Sequence, residues 1–134
     1  MIRSLSLLLV LLAAPLARAD DAFRVSAWVE MSPRNEAHAL AAAGPGRVRI
    51  IDVREPDELE ICQVPGAEHI PMRQIPARAV ILPRDQHLLI LCHTGQRSLQ
   101  VTRFLRAQGF TAVSNIAGGI EAWAEELDPA MPRY

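Results

Sequence analysis

The 134-residue chain has two cysteines, and they stand in different surroundings. Cys92 closes the apolar run His87-Leu88-Leu89-Ile90-Leu91 and opens the loop Cys92-His93-Thr94-Gly95-Gln96-Arg97, which leads into a helical stretch from Ser98. A thiol at that point is placed for nucleophilic chemistry. Loop amides can turn toward one centre, and the helix start adds partial positive charge. Gly95 permits the positive φ that such a curl needs, and Arg97 adds a full charge at the rim. Each of these favours thiolate over thiol, and the thiolate is the reactive form. By residue type alone Cys92 would be a small apolar residue ending a core strand; the loop decides against that. All 14 basic residues are Arg and none is Lys, which excludes lysine-based Schiff-base catalysis. His38, His69 and His87 have no ligand spacing with one another or with the cysteines, so neither metal nor cofactor is expected.

The elements that must position Cys92 alternate in type. Ser32-Pro33 is a helix start, with Ser to cap free amides and Pro at the first helical position. Ala37, Leu40 and Ala41 follow at helical spacing, and Gly44-Pro45-Gly46 stops the helix. Val48 to Val53 is a short β-branched strand of the doubly buried kind. Pro56 opens a short acidic helix whose carboxylates suggest a solvated face. Pro65-Gly66 turns into the short segment His69-Ile70, and a second helical stretch covers Ile75 to Leu82 before Pro83. After the strand His87 to Cys92, the helix from Ser98 turns Val101, Phe104 and Leu105 inward and stops at Gly109. Ala112 to Ile116 is another strand. Gly118-Gly119 then turns into an amphipathic last helix with Ile120, Trp123, Ala124 and Leu127 on one side. Trp28 and Trp123 read as packing residues. Strands separated by helices predict an α/β domain: a small parallel β-sheet of four to five strands flanked by helices.

Residues 1–19 have the form of a secretory signal peptide. Arg3 is a basic n-region, Leu5 to Ala14 an apolar h-region, and Ala17-Arg18-Ala19 a small-x-small cleavage site. The run is shorter than the roughly 20 apolar residues that cross a bilayer. The domain expected after cleavage is 20–134, in a periplasmic or secreted setting. Without Arg3 and Arg18 it has 12 basic against 15 acidic side chains, and no basic run, which argues against nucleic acid as a partner. Two cysteines are also too few for a disulfide scaffold.

Four segments carry a family resemblance. CHTGQRS resembles the active-site loop Cys-x-x-Gly-x-Arg-Ser of rhodanese-type sulfurtransferases. IIDVREPDELE, VPGAEHIP and NIAGGIEAW resemble three further motifs of that family, in its order, from about Arg24 to Pro129. The resemblance implies a rhodanese-like fold and a persulfide mechanism on Cys92. The sulfur would come from a donor such as thiosulfate and pass to cyanide, a small thiol or a protein thiol. It implies that Thr94, Gly95 and Gln96 cradle the persulfide through their backbone and that Arg97 orients an anionic donor. His93 would be an exposed histidine tuning the rim. Arg54 would lie toward the active site, with a local ion pair or a cap on the Pro56 helix as the alternative.

Related cysteine-loop phosphatases and arsenate reductases use Cys-x5-Arg, often with His before the cysteine. Here the loop is Cys-x4-Arg and Leu91 precedes it, which suits one sulfur better than a phosphoryl group. A non-catalytic rhodanese-like binding or redox module is the other alternative; the presence of Cys92, Gly95 and Arg97 favours the enzyme. The segment ELEICQVPGAEHIP is also similar to rhodanese domains fused to adenylating enzymes. Cys62 leaves one question open, since a partner within about 7 Å of Cys92 (Cα to Cα) could form a disulfide with it.

Overall fold

The computed structural model describes residues 30–44 and 46–134. The segment 1–19 with its cleavage site, Trp28, Pro45 and the side chains of His38 and Ala41 lie outside the described residues. Five strands, β1 (Glu30–Met31), β2 (Val48–Asp52), β3 (Glu68–His69), β4 (His87–Leu91) and β5 (Val113–Ile116), form one sheet in the order β1-β5-β4-β2-β3. Every neighbouring pair is parallel. Among the described residues five α-helices accompany them: α1 (Pro33–Ala43), α2 (Pro56–Ile61), α3 (Ile75–Arg78), α4 (Gln96–Ala107) and α5 (Gly119–Leu127). The expected α/β architecture is thus the observed one, with the fifth strand present.

β4 is central and buried along its whole length. Its alternate residues serve two cores, because successive side chains of a strand point to opposite faces. Leu88, Ile90 and Cys92 pack with Val101 and Leu105 of α4, while Leu89 and Leu91 pack with Ile120 and Ala124 of α5. Each fully buried aliphatic side chain is worth about 1.5–3 kcal/mol. β2 lies beside β4, with Asp52 paired to Leu91, and the Val53 amide donates to the Leu91 carbonyl at 2.9 Å. The chain after β2 therefore emerges alongside the Cys92 loop.

Several local expectations are corrected. The helix expected over Ile75 to Leu82 is a 3₁₀ turn, Met72–Gln74, running into the single turn α3. Leu82 precedes Pro83, a position where the α conformation is disfavoured, and Val80 and Ile81 stand exposed. Ser32 occupies the N-cap position of α1 without a side-chain cap; the Arg34 amide donates instead to Glu126 at 3.3 Å. In α5 Leu127 is exposed, whereas Phe104 of α4 is half-buried and packs against the core as expected.

Candidate active site

Cys92 is 1% exposed, and two donors converge on its Sγ. The Gly95 amide and the Ser98 hydroxyl both donate to it at 3.1 Å. Gly95 sits at φ 94°, the left-handed conformation expected of it, and occupies the N-cap position of α4. Its carbonyl accepts from the Leu99 amide at 3.2 Å and from Asn115 Nδ2 at 3.1 Å. Thr102 donates to the Ser98 carbonyl at 2.8 Å. The sulfur thus faces the first turn of α4, where amides and dipole favour negative charge.

A second helix start holds the loop from behind. The Ile120 amide donates to the Cys92 carbonyl at 2.8 Å and the Glu121 amide to the His93 carbonyl at 3.2 Å. This requires Gly119: a Cβ there would lie 2.3 Å from the His93 carbonyl oxygen and 2.5 Å from that of Cys92. Gly118-Gly119 therefore makes more than a turn. It lets the amides of α5 reach the loop.

Arg97 is not the free rim charge that the motif implied. Both its terminal nitrogens pair with Glu58 of α2, at 2.7 Å each. Glu58 also accepts from the Glu55 amide at 2.8 Å in a capping box, and from the Tyr134 hydroxyl at 2.9 Å. The hydrogen-bonded guanidinium of Arg97 outweighs burial and holds the Glu58 carboxyl down at about 2. The reciprocal hydrogen bond raises Arg97 above its already high value. The acidic stretch expected to be a solvated face thus supplies a loop-holding residue, because α2 starts where β2 ends beside β4.

Arg54 follows the local alternative. It is 0% exposed and bonded to Asp52, the Glu58 and Cys62 carbonyls and the Tyr134 hydroxyl. Burial opposes its charge, but the Asp52 carboxylate more than offsets this and raises it. Its N–H groups all point at protein acceptors.

His93 is not an exposed rim histidine. Its ring stacks on Tyr134 with centroids 3.9 Å apart, and Nε2 lies 3.3 Å from Glu121 Oε1. Burial pushes the Tyr134 hydroxyl up to about 12, so it stays a donor to Glu58. Thr94 and Gln96 are exposed, and the donors to Sγ come from Gly95 and Ser98. Cys62 is a free thiol in the core on the face of the sheet opposite Cys92, also free, so the sheet separates the two. Among the described residues, no three His, Cys, Asp or Glu side chains gather as a metal site.

Reasoning from sequence missed Ser98 as a donor to the sulfur, Glu58 and Asn115 as residues that hold the loop, and Tyr134 altogether. Ser98 stands both at the expected helix start and at the end of the motif CHTGQRS, but neither reading gives its hydroxyl a role. Asn115 carried a weak signal, as a polar residue inside an apolar strand.

A parallel sheet with a cysteine loop at the carboxyl end of its central strand, gripped by two helix starts, defines a class. The chain belongs to the rhodanese-like domain family, whose model matches residues 34–126. It is similar to an Arabidopsis thaliana protein, rhodanese-like/PpiC domain-containing protein 12, with 42% identity over 64% of this chain, and spans 30% of that protein's length. A sulfurtransferase of Allochromatium vinosum is 40% identical over 63% of this chain and 78% of its own length. The human thiosulfate:glutathione sulfurtransferase is 31% identical over 68% of this chain and 90% of its own. The solved structure of the human single-domain sulfurtransferase TSTD1 superposes with a TM-score of 0.63 at 29% identity, covering 73% of this chain and 96% of that one.

Proposed function

We propose that the protein transfers sulfane sulfur through a persulfide on Cys92, taking it from a donor such as thiosulfate and giving it to a small thiol, cyanide or a protein thiol. One observation carries this reading: the convergence of the Gly95 amide and the Ser98 hydroxyl on Sγ at the start of α4. The similarity to proteins named sulfurtransferase supports it. In the first half-reaction the Cys92 thiolate attacks the outer sulfur of thiosulfate. A new S–S bond forms, the old one breaks, and sulfite leaves with its electron pair. The outer sulfur then lies about 2 Å beyond Sγ, an S–S bond length. In the second half-reaction an acceptor thiolate attacks that sulfur, leaves as a persulfide and restores the Cys92 thiolate.

Arg97 and Arg54 are each paired with a carboxylate, Glu58 and Asp52. Donor binding on this reading draws on amides and the α4 dipole, and Arg97 acts chiefly by fixing the loop. The same proposal takes the chain as exported, supported by the n-region, h-region and cleavage pattern of residues 1–19. Intact mass of the exported product then gives a chain beginning at Asp20.

The deciding experiment is intact mass of the reduced protein after thiosulfate treatment. A gain of about 32 Da, one sulfur, is expected on the wild type; it is removed by cyanide and absent in Cys92→Ser. No adduct on the reduced wild type sinks the proposal. A Cys62→Ser variant keeps turnover.

A further inference from the structure

The segment that follows α5 returns to the active loop and stacks on it through Tyr134. Met131 is buried in the core with Leu91 and Ile120, and Arg133 pairs with Glu121 at 2.7 Å. These contacts lay Tyr134 against the loop. Its ring stacks on His93, the residue after the nucleophile. Its hydroxyl accepts from Arg54 at 3.1 Å and donates to Glu58, which holds Arg97, the last residue of the loop. One side chain thus touches the residue after Cys92 and, through Glu58, is linked to Arg97.

We propose that residues 128–134 form a strap across the Cys92 loop, with Tyr134 as its positioning residue. The ring fixes His93, the hydroxyl fixes Glu58 and through it Arg97, and the loop keeps its amides aimed at the sulfur. Tyr134 does not touch Sγ; it acts through His93, Glu58 and Arg97, which flank the Gly95 and Ser98 donors. Without the strap, the buried thiol becomes reachable more often and its donors are less well aimed. Misaimed donors slow the transfer step, since preorganised hydrogen bonds act without reorganisation at the moment of reaction.

The proposal rests on the sulfur-transfer reading for its kinetic consequence only; burial of Cys92 reports on the strap by itself. The test compares Tyr134→Phe, which keeps the stack and loses the hydroxyl, with Tyr134→Ala, which loses both. All proteins carry Cys62→Ser, so that Cys92 is the only thiol. Two rates are measured: alkylation of Cys92 by iodoacetamide, and single-turnover persulfide formation from thiosulfate. Alkylation is measured at several low urea concentrations, because a rate that arises from global unfolding rises with urea and one that arises from local opening does not. Alkylation is expected to rise about threefold in the Phe variant and about tenfold in the Ala variant, in the range of one lost hydrogen bond of ordinary strength. Persulfide formation slows by similar factors, and the melting temperature moves by less than about 3 °C. Wild-type alkylation rates in both variants overturn the strap. So does a change in Tyr134→Ala confined to amplitude and melting temperature. If the wild type forms no persulfide while alkylation rises as described, the strap stands and sulfur transfer fails.

Discussion

Glu58 holds four partners on one carboxylate: two nitrogens of Arg97, the Glu55 amide and the Tyr134 hydroxyl. Its depressed pKa makes it a marker for acid behaviour. A carboxyl held at about 2 in the fold, against an ordinary value near 4.5, contributes stability that is full above about pH 4.5. That contribution fades as pH falls toward 2. Glu58→Gln keeps the capping acceptor and loses the charge. The Arg97 partner is 34% exposed, so solvent screening limits the loss to about 1–2 kcal/mol at pH 7. Urea titrations of both proteins show this gap closing near pH 2.5; a gap independent of pH would remove the ion pair as its source. Ser98→Ala removes one of the two donors to Sγ. Single-turnover persulfide formation then slows about tenfold with stability nearly unchanged, the scale of a hydrogen bond to a charged group. Cys92 was legible because strand, loop and helix start meet in sequence. Glu58 was not, because a charged side chain on a short helix looks solvated until the neighbouring loop is in place. Tyr134 offers no pattern at all; its role exists only after the chain has folded back.

At the level of elements, the loop is held between two helix starts of different use. α4 presents amide and hydroxyl to the sulfur, and α5 presents amides to the carbonyls of Cys92 and His93. The apolar runs of β2 and β4 and the Gly-Gly entry to α5 could be recognised from residue types. The two-residue strand β1 could not, since alternation has no meaning over two positions, and the shortness of α3 had its signal only in Pro83, before which the α conformation is disfavoured. The close approach at Gly119 separates two costs that glycine replacement usually mixes. Gly66, at φ 80°, has open space where a Cβ would go, so Gly66→Ala carries only conformational strain, about 1–2 kcal/mol. Gly119→Ala adds a collision with backbone at 2.3 Å and moves the loop. Thermal unfolding should show the larger loss, about 3 kcal/mol or more, for Gly119→Ala, along with loss of persulfide formation. Equal losses at the two positions would mean that the loop gives way freely.

Across the whole molecule, the sheet keeps two cores and two thiols apart. Cys92 shares its side with α4, and Cys62 lies among Leu89, Leu91 and Ile116 on the other. The Arg54–Asp52 pair and the Arg97–Glu58 pair stand in neighbouring chain segments after β2 and β4, where parallel strands end together. Functional loops commonly belong to the least stable part of a protein and open by themselves. Here the carbonyls of Cys92 and His93 serve as the first acceptors for α5, so remodelling the loop means unravelling a helix that is itself core. The amides of Ile120 and Glu121 are accordingly expected among the slowest to exchange with deuterated solvent. With the strap in place, the reactive centre is expected to melt together with α5. In urea, its capacity to take up sulfur and its tertiary signal should vanish over the same concentrations, as one event.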